Sequence, residues 1–209
     1  MTSSLSASPS SAEGSPVGTH VIACGAIARH VDDIVRRRNW SVTIHPLPPL
    51  LHNRPRDIAA AIEHAIEGIA GSADRIAIAY ADCGTYGAID AVAERHGLHR
   101  LQGEHCYDIF GGVERIAGLL EEEPGTYFFT DYLVKAFHRS VVVELGLDRH
   151  PELRDDYFGN YRRVVWLAQE PSADLHEAAL NAAELMGLPL EVIEVSDVGL
   201  EAQLQLLLQ

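Results

Sequence analysis

The stretch "DRIAIAYADCG", residues 74–84, decides the fold. Ile76, Ala77, Ile78, Ala79 and Tyr80 form an almost unbroken apolar run, where a half-exposed strand would alternate. An unbroken run of this length is what a strand covered on both faces requires, as in parallel sheets flanked by helices. The run ends at Asp82, Cys83 and Gly84, and "AIDAVAERHG" follows as a helix closed by Gly97.

The same design recurs on either side. "THVIAC" (19–24) is a short β-branched strand ending on a cysteine, and "GAIARHVDDIVRRRN" (25–39) spaces Ile27, Val31, Ile34 and Val35 as a helix does. "WSVTIHPL" (40–47) reads as the next strand and "PLPPLLHNRP" (46–55) as a proline-rich loop. Asn53 is placed to cap a helix whose Ile58, Ile62, Ala65, Ile66 and Ile69 face the core. Downstream, "LHRLQ" is a brief strand, "CYDIFGGVERIAGLLEEE" one helix, and "GTYFFTDYLVKAFHRSVVVELG" a strand entering a helix. The last third alternates again: "RRVVWLAQ" strand, "ADLHEAALNAAELMG" helix, "PLEVIEVS" strand and "GLEAQLQLLL" helix.

Such alternation predicts an α/β protein: a mostly parallel sheet with helices on both faces, in Rossmann-like layers. One domain is expected over residues 19–209, preceded by a disordered tail over 1–18 that is rich in Ser, Pro, Gly and Ala.

Composition narrows the function. Sixteen basic against thirty acidic residues give a net charge of −14, which repels phosphate backbones and anionic lipid headgroups. Nucleic acid and membrane surfaces are therefore not expected partners. No apolar run approaches the roughly 20 residues of a membrane span, and the N-terminus lacks the basic and apolar regions of a secretory signal. Three cysteines are too few for a disulfide framework and suit a reducing cytoplasm.

Those cysteines carry the functional reading. In parallel sheets, ligands bind beyond the carboxyl ends of the strands. Cys24 and Cys83 fall there, each followed by a glycine and a helix, and Cys106 follows His105 in "GEHCYDIFGG" (103–112). Cys24, Cys83 and Cys106, with His105 as fourth ligand or proton carrier, would suit zinc, or an iron–sulfur cluster as the second choice. Structural packing of three buried thiols is the competing account, and Cys83 as a nucleophile with His105 as base is another.

Three further segments bear chemistry. In "ADCGTYGAID", Gly84, Thr85 and Gly87 form a turn opening a helix, where backbone N–H groups can meet an anionic cofactor. Asp82 and Asp90 there read as caps. In "LHNRP", His52 and Arg54 could orient an anionic small-molecule substrate. "GLDRHPELRDDYFGNYRR" (146–163) mixes aromatic and polar groups as a lid or subunit contact would, and a homodimer is a mild expectation.

Taken together, "IACGAIA", "LLHNRP", "YADCGTYGAID", "GEHCYDIFGG", "EEEPGTYFFTDYLVKAF" and "GLDRHPELRDDYFGNYRR" resemble the domain-of-unknown-function family 1638, in order from about residue 20 to 195. The resemblance implies one-carbon metabolism, because members of that family accompany corrinoid-dependent methyltransferase systems. It implies either a metal-dependent transferase or accessory enzyme, or a non-catalytic corrinoid- or metal-binding chaperone serving a methyltransferase or corrinoid protein. Zinc enzymes that methylate thiols are similar in ligand chemistry but use a His-x-Cys pair, whereas His105 and Cys106 are adjacent.

Overall fold

A computed structural model describes residues 18–209, so the tail read over 1–18 lies, apart from Gly18, outside the described residues. Gly18 already belongs to the first strand. The order is β1 (Gly18–Cys24), α1 (Ala28–Arg37), β2 (Val42–Leu47), a 3-10 turn (Pro49–Asn53), α2 (Pro55–Ile69), β3 (Ala73–Ala79) and α3 (Ala88–His96). Two short helices follow, α4 (Cys106–Gly111) and α5 (Val113–Glu122), then β4 (Thr126–Thr130) and α6 (Asp131–Phe137), which runs on as a π-helical turn (His138–Val143). The chain closes with α7 (Arg154–Phe158), β5 (Arg163–Ala168), α8 (Ala173–Met186), β6 (Leu190–Glu194) and α9 (Val198–Leu207).

The fold is α/β with parallel strands, divided between two three-stranded sheets in the orders β2-β1-β3 and β4-β5-β6. Each central strand is buried on both faces. In β5, Val164, Trp166 and Ala168 pack with Val134, Ala179 and Ala183 of α6 and α8, while Val165 and Leu167 meet Ile116 of α5 and Phe128 on the other face. The segment "LHRLQ" is reduced to a single parallel bridge between Arg100 and Ile78.

In the first sheet the connection from β1 leads outward to β2, and the next connection passes β1 again to reach β3. The direction of winding therefore reverses beside β1, and a crevice opens at the carboxyl ends of β1 and β3. Cys24 is the last residue of β1, and Cys83 lies four residues beyond β3. The winding thus delivers both thiols to one crevice.

Two local readings are corrected. The helix expected over 106–123 is broken, because Gly112 takes φ +82° and splits it into α4 and α5. Asn53 does not cap α2. Arg54 holds the N-cap position without a side-chain cap bond, and Pro55 at the first helical position needs no N–H partner. The Asn53 amide instead donates to the Ser140 carbonyl at 3.0 Å, which joins the 3-10 turn to the π-helical turn of the second half.

Helix α9 follows the second sheet in sequence yet packs in the core of the first, through fully buried Leu200 and Leu204. Arg37 of α1 and Arg38 just beyond it pair with Glu201, and Arg37 reaches Asp197 at 3.0 Å. Among the described residues, no helix is long and apolar enough to cross a membrane.

Candidate functional site

Chain geometry at the end of β1 builds the first part of the site. A Cβ on Gly25 would stand 2.3 Å from the Leu47 carbonyl oxygen and 2.8 Å from Pro49, so only glycine lets the end of β1 approach the end of β2. Pro48 and Pro49 then open the 3-10 turn that carries His52 over Cys24. His52 Nδ1 lies 3.0 Å from the Pro49 carbonyl oxygen, which can only accept, so Nδ1 carries the proton. Nε2 is left facing Cys24 Sγ at 3.7 Å.

The end of β3 supplies the second part. Tyr80 is fully buried, and its ring stacks beside His52 with centroids 5.9 Å apart. Among the described residues, its hydroxyl has no hydrogen-bond partner. Burial first, and then the nearby sulfurs of Cys24 and Cys83, push the phenol far up and keep it neutral. Cys83 itself adopts φ +51°, a left-handed conformation that costs a non-glycine residue about 1 kcal/mol. Its N–H donates to the Glu104 carbonyl at 2.6 Å, and the Asp82 N–H donates to that of Gly103 at 3.1 Å. These bonds hold the "GEHC" segment against "ADC".

The third thiol follows at the start of α4. Asp108 Oδ2 accepts from the N–H groups of Glu104 and His105, both at 2.8 Å, which sets the entry of the helix. Burial raises the Cys106 thiol well above its ordinary pKa, and the neighbouring Cys83 and Cys24 add to that. Cys83 and Cys24 are thus near enough to act on Cys106, although the sequence separates the three widely, and all three are free.

The imidazole among them is His52. Burial works against a charge on His52, but the sulfurs of Cys24 and Cys83 outweigh it and push its pKa up to about 11. His105 lies on the wall of the adjoining cleft, stacked on Tyr107 with centroids 4.6 Å apart. Arg54 is exposed and is not among the residues lining that cleft. The Gly84–Gly87 turn is also away from the lining, and its polar groups are engaged. The Asp82 carboxylate accepts from the Thr85 hydroxyl at 2.6 Å and from the N–H groups of Tyr86 and Gly87 at 2.9 Å. A carboxylate of the chain thus occupies the place expected for an external anion. Asp90 is paired with Arg100 rather than capping α3.

The cleft is a cavity of about 630 Å³ between the two halves, within the range of small-molecule sites. Cys83, Cys106 and His52 are on its lining. Tyr127, Phe128 and Tyr161 come from the second half, with Ser140 and Glu144 from the π-helical turn and its end. Sequence reasoning missed Tyr80, Ser140 and Glu144. Tyr80 left a signal, a hydroxyl inside an otherwise apolar run directly before the cysteine, whereas nothing in "HRSVVVE" marks Ser140 or Glu144.

Sulfur and nitrogen ligands of one tetrahedral zinc stand about 3.6 Å apart, given the usual bond lengths. The Cys24–His52 pair, at 3.7 Å, has that spacing. The proton on His52 Nδ1, held by a backbone carbonyl, is the orientation that metal-bound histidines adopt. Among the described residues, however, no group of three or more His, Cys, Asp or Glu side chains is gathered so as to hold a metal ion. The pair fits, and the other two sulfurs would have to close upon it.

Residues 46–204 match the family model described as "Protein of unknown function (DUF1638)", and the chain belongs to that family. No curated protein and no solved structure matches it.

Proposed function

We propose that the chain is a metal-dependent enzyme of small-group transfer, acting in methyl or other one-carbon metabolism on a small molecule held in the cleft. Zinc is the first choice of metal and an iron–sulfur cluster the second. Cys24, Cys83 and Cys106 are the proposed thiolate ligands, and His52 takes the ligand role expected of His105. The observation that carries this reading is the 3.7 Å contact between Cys24 Sγ and His52 Nε2, with Nδ1 tied to the Pro49 carbonyl.

Charge supports it as well. Burial, and then the sulfurs of Cys83 and Cys24, hold Cys106 as a neutral thiol unless a cation stands beside it. When bound, zinc supplies that cation and activates a coordinated thiolate or substrate thiol near neutral pH. The chain's own residues hold the sulfurs apart from water, fix the His52 tautomer, and offer the neutral Tyr80 hydroxyl as a hydrogen-bond donor to sulfur. His105, on the cleft wall, is placed to carry a proton to or from a bound molecule. A corrinoid protein or methyltransferase as partner, and a reducing cytoplasmic setting, belong to the same proposal.

The test is elemental analysis with a visible spectrum on anaerobically purified wild type, Cys24→Ala, His52→Ala and His105→Ala. Stoichiometric zinc that is lost in the first two variants and kept in the third is the expected result. Broad visible absorbance that bleaches in air would select the cluster instead. Metal-free wild type after supplementation with zinc and iron rejects the reading.

A second reading rests on the sulfurs holding His52 protonated: a thiolate–imidazolium pair in a metal-free cysteine enzyme. Rapid alkylation of Cys83 by iodoacetamide in metal-free protein, slowed in His52→Ala, would favour it.

A further inference from the structure

We propose that the cleft binds an organic cation, with an alkylated ammonium group as its head. The proposal rests on the reading of the cleft as the substrate chamber of the thiol centre, and it names the substrate class of that chamber. It also departs from the anionic substrate that Arg54 and His52 suggest in the sequence.

The charge of the wall points this way. Among the described residues, neither lysine nor arginine lines the cavity, and the His52 ring on that lining turns its nitrogens to the Cys24 sulfur and the Pro49 carbonyl rather than to a ligand. The cavity's one carboxylate is Glu144, which forms no ion pair among the described residues. An acidic chain of net charge −14 attracts cations over a longer range.

The rings point the same way. Tyr127 and Tyr161 meet edge to face, with centroids 5.1 Å apart and planes at 74°. Two rings at nearly a right angle form a corner, and Tyr132 lies on the same lining. Tyr107 is stacked by His105 at 4.6 Å and by Phe128 at 4.8 Å, which engages its faces, whereas Tyr127 meets Phe129 and Phe158 edge to face. Electron-rich rings on a lining that also carries a carboxylate, here the exposed Glu144, are what quaternary ammonium groups are held by. Burial, and then Tyr161, pushes the Tyr127 phenol up to about 12, so the ring stays uncharged.

A polar contact for the remainder of the ligand is also present. Among the described residues, the buried Ser140 hydroxyl, one turn before Glu144, has no hydrogen-bond partner, while the Ser140 carbonyl already accepts from Asn53. Buried polar atoms are rarely left without a partner. A hydroxyl or carbonyl on the ligand would satisfy it.

The experiment uses three probes of one shape: choline, its neutral isostere 3,3-dimethylbutanol, and the anion 3,3-dimethylbutanoate. Each is titrated calorimetrically into the full chain, into Glu144→Gln and into Tyr161→Leu, with folding of each variant checked by circular dichroism. Choline is expected to bind about tenfold more tightly than the alcohol, with the carboxylate weakest. Glu144→Gln should bring choline down to the affinity of the alcohol without changing the alcohol, and Tyr161→Leu should remove most of the preference. Equal binding of choline and the alcohol, tightest binding of the carboxylate, or no choline binding at millimolar concentration overturns the proposal. Metal content is measured on the same samples. Choline preference in metal-free protein rejects the metal-centred reading alone, and stoichiometric metal without choline binding rejects the cation site alone.

Discussion

His52 changes role between sequence and structure. In "LHNRP" it stands beside an arginine and an asparagine, which suggests anion recognition. The 3-10 turn separates these neighbours: His52 rests on Cys24, Asn53 reaches Ser140, and Arg54 turns to solvent. His30 offers a test at the same scale. Burial lowers its pKa below the ordinary 6.5, although the carboxylates of Glu170, Asp131, Asp197 and Asp33 oppose the shift. Its ring packs edge-on against Phe110 at 5.0 Å. The unfolded chain then takes up this proton at higher pH than the folded one. The stabilising effect of neutral His30 is therefore full above about pH 6.5 and fades as pH falls toward its folded pKa. His45, lowered by burial and then by His20, acts with the same sign. In His30→Gln, the fall in Tm between about pH 7 and pH 5 should be shallower than in wild type. An unchanged slope would assign that limb to His45 or to other groups.

Among the elements, the contact between the end of β1 and the 3-10 turn matters most for the site. Because a Cβ on Gly25 would meet backbone atoms of Leu47 and Pro49, Gly25→Ala must push the turn away and carry His52 off Cys24. Loss of metal, or of rapid Cys24 alkylation under the metal-free reading, is expected in a variant that still folds. A Gly25→Ala protein with wild-type site properties would show that the turn relaxes freely. The break at Gly112 has a similar physical origin. Residues 106–123 carry helical spacing throughout, yet Gly111 has Ile116 Cδ1 2.7 Å from where its Cβ would be, and the chain folds α5 back at this point. Helical periodicity predicts both pieces but not the bend, because the bend depends on what packs against it.

Across the whole molecule, α9 unites the two halves. It follows β6 of the second sheet and buries Leu200 and Leu204 in the core of the first. Leu204→Ala should cost about 2–5 kcal/mol, as a large-to-small change in a closed core does. Urea denaturation with fluorescence at Trp40 and Trp166 checks it, since the first packs against the first core and the second is buried in the other. Coincident loss of both signals is expected if the halves unfold as one unit. Separate transitions would show that α9 is a docked element on an independent first half.

The sequence by itself determined the alternation of strands and helices, the parallel pairing, and the placement of Cys24 and Cys83 at strand ends, because burial on both faces leaves an unbroken apolar run. It also marked Cys106 as a residue worth following. The division of the strands into two sheets, the return of α9, the contact of His52 with Cys24, and the meeting of Tyr127 and Tyr161 on a lining shared with Glu144 belong to tertiary structure alone. Each joins residues far apart in the chain, and such contacts are chosen by packing and by the reversal of winding beside β1. Local patterns record which face of an element is buried, but they do not record against what.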